Sequence, residues 1–359
     1  MKSIFCTIAM VFSALFVNAQ MDLPPSGNNP RATVSEEVGI TTIYIKYSRP
    51  DVNKREGKIY GDGNPAPYGF STGSFVTNKN TAPWRAGANE NTLISFEHDV
   101  KIEGKDIKAG TYGLHIALYP DKATLIFSSQ TGAWGSYYYV ENNDVLRVDV
   151  KPIKLEKSVE FLKYEFIEHK PKYCVVALQW EFLSIPFKID VDVDNIVVAK
   201  LREEVTGPKG FNALNLQAAA NYCINNNINL EEGLAWAQKA AATKTYAILN
   251  TLATAYAKNN KLAQSDSTMS EALVLANTNQ YLAYGRSLIA SKRMDKALEV
   301  FTKNQQKNGD IYAVNIGYWY YYTASGENKK AIEFANKALA QAPNEQAKTM
   351  LNEYLAKSK

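Results

Sequence analysis

The chain has 359 residues, 46% of them hydrophobic and 21% charged, with 40 Lys and Arg against 36 Asp and Glu for a formal net charge of +4. That composition excludes a disordered or fibrous chain, and the length exceeds what one hydrophobic core usually organises, so two domains are expected. The positive charge is spread without a run of Lys and Arg, which argues against nucleic acid as a partner.

At the N-terminus Lys2 precedes a mainly apolar run from Ile4 to Val17, closed by Val17-Asn18-Ala19 and Gln20. A basic start, a short apolar stretch and small residues before the cut are what a signal peptidase reads. As a helix the run would rise about 21 Å, short of the roughly 30 Å hydrocarbon core of a bilayer. The expectation is a signal peptide over residues 1–19, a mature chain from Gln20, and a periplasmic or secreted product without a stable membrane span. Cleavage would remove Cys6. Cys174 and Cys223, on apolar faces in different predicted domains, are expected as buried free thiols.

From Ile40 to about Val193 apolar residues alternate with period two, the signature of half-buried antiparallel strands. Tyr112, Leu114, Ile116 and Leu118 form one such face, and Cys174, Val176, Leu178 and Trp180 another. Glu103-Gly104-Lys105 marks a hairpin and Pro120-Asp121 the next reversal. About eight strands without intervening helices predict an antiparallel β-sandwich or barrel-like domain over residues 20–195.

Inside this domain the stretch WRAGANENT, residues 84–92, crowds an indole, a guanidinium, amides and a carboxylate together. Strand periodicity resumes at Leu93, so Ala86 to Asn91 should be a loop, with Gly87 free to take a positive φ. Two readings are open. In one, Arg85 pairs with Glu90 and Asn89 satisfies loop amides, bracing the fold. In the other, Trp84 offers a flat surface to a ring or sugar, Arg85 a fork to a carboxylate, and Arg49, Asn89, Glu90, His115 and Trp134 complete a ligand site. His115 projects opposite the Tyr112–Leu118 face, between Gly113 and Ala117, where small neighbours leave either a cleft or an outer sheet surface.

Other motifs carry less. GFSTG, from Gly69, has the spacing of a nucleophile elbow, but prolines precede it and no helical period follows. DVDVDN places Asp190, Asp192 and Asp194 on one side of a strand; an EF-hand loop would need Gly at Asn195 and Glu at Leu201. No Cys or His pair has zinc spacing and no glycine-rich phosphate loop occurs, so no metal, cofactor or catalytic residue is assigned.

After Asp194 the period becomes helical, with Gly207-Pro208-Lys209-Gly210 as punctuation. Residues 196–210 read as a linker or first helix, and residues 211–359 as helical repeats. Gly233, Ser265, Ala297 and Ala331 recur at intervals of 32, 32 and 34 residues. A small residue at that spacing, flanked by Leu and aromatics, resembles the tetratricopeptide repeat, whose helix pairs stack into a solenoid with a concave groove. In the last repeat the groove-lining helix would carry Tyr318, Trp319, Tyr320, Tyr321 and Tyr322. Five neighbours at about 100° per residue cannot all face the core, so the run either seals helix contacts or offers a protein-binding surface.

The blocks YSRPDVNKREGKIYG, PWRAGANENT, IEGKDIKAGTYGLH, WGSYYY and NDVLRVDV, in that order, resemble the family called domain of unknown function 2911, found in secreted proteins of Bacteroidetes-type bacteria. The likeness covers most of residues 30 to 195; the helical repeats lie outside it, and the stretch between Gly69 and Trp84 is longer than the compact form of the family. The resemblance implies a secreted sheet domain and no activity. The functional expectation is a binding or assembly protein, with a small molecule or glycan in the sheet domain and a protein on the repeats. The alternative is a hydrolase of an envelope or dietary polymer using Glu90 or His115 with Arg85.

Overall fold

The computed structural model describes residues 29–72 and 81–358. The signal-peptide reading and most of the insert before Trp84 fall outside these residues. The chain divides between Val193 and Asp194 into a sheet unit and a helical unit.

In the sheet unit the strands are β1 (Arg31–Val38), β2 (Thr41–Ser48), β3 (Thr92–Phe96), β4 (Val100–Ile102), β5 (Lys105–Ile107), β6 (Gly110–Leu118), β7 (Ala123–Ser128), β8 (Asp144–Val150), β9 (Ile153–Lys170) and β10 (Tyr173–Val191). They form a six-stranded sheet, β1-β2-β3-β6-β7-β8, and a four-stranded sheet, β5-β4-β10-β9. Every pairing is antiparallel. The alternation that predicted strands is the alternation that fills the core: Ile43, Ile45, Ile94, Leu114, Leu125 and Phe127 from the larger sheet and Cys174, Val176, Leu178 and Trp180 from the smaller are all sealed from solvent. Each large apolar side chain so buried contributes about 1.5–3 kcal/mol. Strands of the two sheets meet where Tyr47 packs edge-on against Tyr164, their ring centroids 4.8 Å apart.

The predicted hairpin at Glu103-Gly104 joins β4 to β5 with both residues at positive φ, and β6 reverses into β7 after Pro120. Strand β6 departs from the alternation, because Tyr112 through Leu118 are buried on both faces. The second face is covered by connections: Ala82, Ala117, Ile126 and Tyr139 form a small buried cluster with Phe70 and Tyr119 against it. The acidic run also differs from its predicted form. Strand β10 ends at Val191 and a helix begins at Val193, so Asp190 lies on the strand and Asp194 in the first helical turn, where the unpaired N–H groups favour a carboxylate.

The helical unit consists of α1 (Val193–Thr206), α2 (Ala213–Asn226), α3 (Leu230–Ala240), α4 (Tyr246–Lys258), α5 (Leu262–Leu275), α6 (Thr278–Ala290), α7 (Met294–Asn308), α8 (Tyr312–Ser325), α9 (Asn328–Ala340) and α10 (Glu345–Lys357). Asn212, Thr245, Asn277 and Asn344 cap helix N-termini through their side chains, and Asn227 and Gly326 close helices in the left-handed conformation. The helices pack as hairpins, α2 on α3, α4 on α5, α6 on α7 and α8 on α9. The recurring small residues Gly233, Ser265, Ala297 and Ala331 are buried on the second helix of each hairpin. A Cβ on Gly233 would stand 2.7 Å from the Cβ of Cys223 on α2, which is the close approach that the repeat requires. This is a helical solenoid of tetratricopeptide type, fused to an antiparallel sheet unit.

Candidate functional site

The site lies just ahead of β3, which begins at Thr92 opposite Leu114. Strand β3 covers β6 only as far as Leu114, and beyond it Trp84 takes over the edge, exchanging backbone hydrogen bonds with Ile116 at 3.0 and 2.8 Å. Gly69 N–H donates to the Leu118 carbonyl one step further on. These pairings satisfy the β6 backbone and bring the connections around residues 50–72, 82–91 and 131–140 together. Between them opens a cavity of about 990 Å³.

Its walls combine the indoles of Trp84, Trp134 and Trp180, the phenols of Tyr137 and Tyr138, and the cations Arg55, Lys58 and Arg85, with no carboxylate among the described lining residues. Trp84 is buried and stacks on Trp180 at 6.0 Å between centroids. Trp134 and Tyr138 stand on the rim, 50% and 54% exposed. Arg55 is held by the carbonyls of Val52 and Asp51 at 2.9 and 2.7 Å, with the Asp51 carboxylate 3.7 Å away.

Arg85 is anchored by Nη1, which donates to the Asn89 carbonyl at 2.7 Å. Its guanidinium fills the space beside Gly135: a Cβ there would lie 2.5 Å from Cζ, Nε and Nη1, and Gly135 sits at φ +57°. Burial pulls the Arg85 pKa below its usual value. Loop geometry differs from expectation. Ala86 and Asn89 take the left-handed conformation, whereas Gly87 does not. Gly87 is required by space, because a Cβ would come within 2.6 Å of Thr92 Oγ1 and 3.2 Å of the Ser48 carbonyl.

One of the two readings of this loop pairs Arg85 with Glu90. The Glu90 carboxylate instead accepts hydrogen bonds from Arg31 and, at 3.3 Å, from Ser48 Oγ. Burial would raise its pKa, but its own backbone N–H, Arg31 and Ser48 outweigh this and hold it below the ordinary glutamate range. Glu90 lines a smaller cavity of about 420 Å³ whose wall also includes Trp134, Tyr138 and Asn91. Asn89 lines the larger cavity and accepts from Asn29 Nδ2 at 3.3 Å. Arg49 lines neither: its Nε donates to the Leu162 carbonyl at 2.9 Å and its guanidinium lies over Phe161. The fold thus brings Trp84, Arg85, Asn89 and Trp134 to one concavity, Glu90 to its neighbour, and Arg49 to the β9 edge.

His115 lies one layer beneath the larger cavity. It is buried, with Tyr139 edge-on at 5.5 Å and Nδ1 3.1 Å from Ser136 Oγ, and Ser136 is itself a lining residue. Burial first, and the Arg85 charge second, push its pKa down to about 4, so the ring is neutral near pH 7. Sequence reasoning missed Ser136, Lys58, Arg55 and Trp180. Ser136 and the two cations stand inside the quoted blocks WGSYYY and YSRPDVNKREGKIYG, but nothing in a linear pattern places those blocks face to face.

In the helical unit the aromatic run separates by layer. Tyr318, Trp319 and Tyr321 are buried: Tyr318 stacks on Phe334 at 4.7 Å and Trp319 meets Tyr354 at 5.2 Å. Tyr320 and Tyr322 are half-buried, with Arg286 over the Tyr320 ring at 4.5 Å and Lys330 over Tyr322 at 4.9 Å. The five do not line one groove, since helical rotation sends three of them into the helix contacts. Among the described residues no group of three or more His, Cys, Asp or Glu could hold a metal ion, and no helix is long and apolar enough to cross a membrane.

Residues 29–189 match the family described as "Protein of unknown function (DUF2911)". No curated protein matches the chain. Among solved structures, one described as YrrB, a TPR protein with an unusual peptide-binding site, is 17% identical, with 45% of this chain and 89% of that one covered and a TM-score of 0.31. The C-terminal part of a TPR repeat-containing protein from Cytophaga hutchinsonii is 21% identical, with 43% and 65% covered and a TM-score of 0.32.

Proposed function

We propose that the sheet unit is a binding module for a small anionic ligand bearing a ring or sugar, and that the helical unit engages a protein. The observation that carries the first half is the lining of the larger cavity, where Arg55, Lys58 and Arg85 face three indoles with no carboxylate among the described walls. Cations on low-dielectric walls focus potential on an entering anion, and indole faces stack on flat or pyranose surfaces. Lys58 and Trp134 are exposed, so a ligand can reach charge and ring together. The second half rests on stacked helical hairpins, an architecture whose extended surface suits broad protein contact. The N-terminal segment read as a signal peptide supports a location outside the cytoplasm, which the mass of the mature chain, beginning at Gln20, would test.

Titration of tryptophan fluorescence with benzoate and glucuronate, against benzyl alcohol and glucose, tests the ligand class. Binding of the two anions alone, weakened in Lys58→Gln and Trp134→Ala, is the expected pattern. Equal responses to neutral and anionic members would remove the electrostatic reading. Of the hydrolase that would use Glu90 or His115 with Arg85, the Glu90 form gains no support, since Glu90 faces the other cavity, paired to Arg31.

A further inference from the structure

Ser136 and His115 make one contact that the binding reading leaves unused. Their side chains lie 3.1 Å apart, both nearly sealed from solvent, and Ser136 forms part of the cavity wall that also holds Arg85. When Ser136 Oγ–H donates to Nδ1, the histidine proton must reside on Nε2. A second observation lies on that side of the ring. Asn91 is 7% exposed, donates through Nδ2 to the Gln130 carbonyl at 2.9 Å, and leaves its Oδ1 buried without a hydrogen-bond partner. Both side chains border the same small gap at Gly113: a Cβ built there would stand 3.1 Å from Asn91 Nδ2 and 3.6 Å from His115 Nε2. The Asn91 side chain, whose buried acceptor has no donor, therefore shares the gap at Gly113 with a ring nitrogen that carries a proton in the tautomer Ser136 selects.

We propose that Ser136, His115 and Asn91 act as nucleophile, base and positioning residue in acyl transfer from a carboxylate-bearing ester bound in the cavity. The proposal rests on the anion-binding reading of that cavity. Ser136 Oγ forms a bond to the ester carbon while its proton passes to His115 Nδ1 and the carbonyl π pair moves onto oxygen, beside the Arg85 charge. Collapse of this adduct breaks the bond to the leaving oxygen, which takes the proton from Nδ1. Water then adds to the acyl-serine by the same proton relay, releasing the acid and restoring Ser136. Asn91 Oδ1, without a partner in the resting chain, accepts from Nε2–H once the ring becomes charged and so stabilises the imidazolium. Neutral His115 is in the form that accepts a proton, and an anion at Arg85 cancels one of the two influences that weaken it as a base.

The test treats the full purified chain at pH 7 with an alkyl fluorophosphonate and follows intact mass and the modified peptide. One adduct per chain on the peptide carrying Ser136 is expected, absent in Ser136→Ala and at least about tenfold slower in His115→Gln. Asn91→Ala should slow labelling and move the pH of half-maximal rate, which lost packing alone would leave in place. Hydrolysis of mono-4-nitrophenyl succinate should depend on the same serine. A wild-type chain without an adduct, or an adduct that persists in Ser136→Ala, overturns the assignment. Benzoate titration of the same samples separates the two readings: binding without labelling removes acyl transfer alone, whereas loss of both removes the cavity reading as well. Unchanged melting of Ser136→Ala shows that its loss of labelling is chemical.

Discussion

Acidification should destabilise the sheet unit through His115 alone by on the order of 3 kcal/mol. The ring's pKa falls from the ordinary 6.5 to about 4 in the fold, because it is buried and faces the Arg85 charge. Each pH unit of such a gap is worth about 1.36 kcal/mol. The folded pKa is the depressed one, so the unfolded chain takes up its proton first as pH falls. The contribution is therefore complete above about pH 6.5 and lost progressively down to about pH 4. Carboxylates also titrate near the lower end, but they do so equally in a His115→Gln variant, which keeps a polar side chain near Ser136 without the titration. The assay is hydrogen exchange of β6 and β7 amides at pH 7, 5.5 and 4.5, corrected for intrinsic exchange rates, since bulk melting would mix two units. Wild type should lose protection between pH 7 and 4.5 by the equivalent of about 2–3 kcal/mol more than the variant. Identical pH dependence in the two proteins would refute the buried, neutral state of His115, and with it the proton-accepting role proposed for that ring.

Gly135→Ala should lower stability by about 1–3 kcal/mol and weaken benzoate binding, because the new methyl group occupies the space of the Arg85 guanidinium at a positive-φ position; calorimetry and titration together check it. In the helical unit Gly317→Ala would place Cβ 2.6 Å from the Phe301 ring, and a cost of about 1–3 kcal/mol is expected in urea unfolding. Cys174 and Cys223 are free and buried, their pKa values pushed up by burial to about 12 and about 11. A thiol reagent at pH 8 should leave both unmodified in the native chain and react with both in urea; prompt native reaction would contradict their burial.

Periodicity alone separated a sheet unit from helical repeats, because a period of two or of 3.6 is a local property that burial of one face enforces residue by residue. The same logic located the small residues from Gly233 to Ala331, whose spacing is a covalent fact. The site was legible only as a list of chemistry-bearing side chains. That Arg85 sits against Gly135 instead of pairing with Glu90 depends on how the 82–91 and 131–140 connections meet over β6, and that in turn depends on β3 beginning only at Thr92, so that its pairing with β6 goes no further than Leu114. Both faces of β6 are buried for the same reason, so the alternation, which left His115 open to either a cleft or an outer sheet surface, was silent about its cover. Tertiary contact also chose between the fates of Tyr318 and Tyr320, two residues apart on one helix and sent to different surroundings by a rotation of about 200°. Sequence sets which faces must be covered; which residues do the covering is settled by segments distant along the chain, and there the charges of Lys58 and Arg85 first come to share a wall.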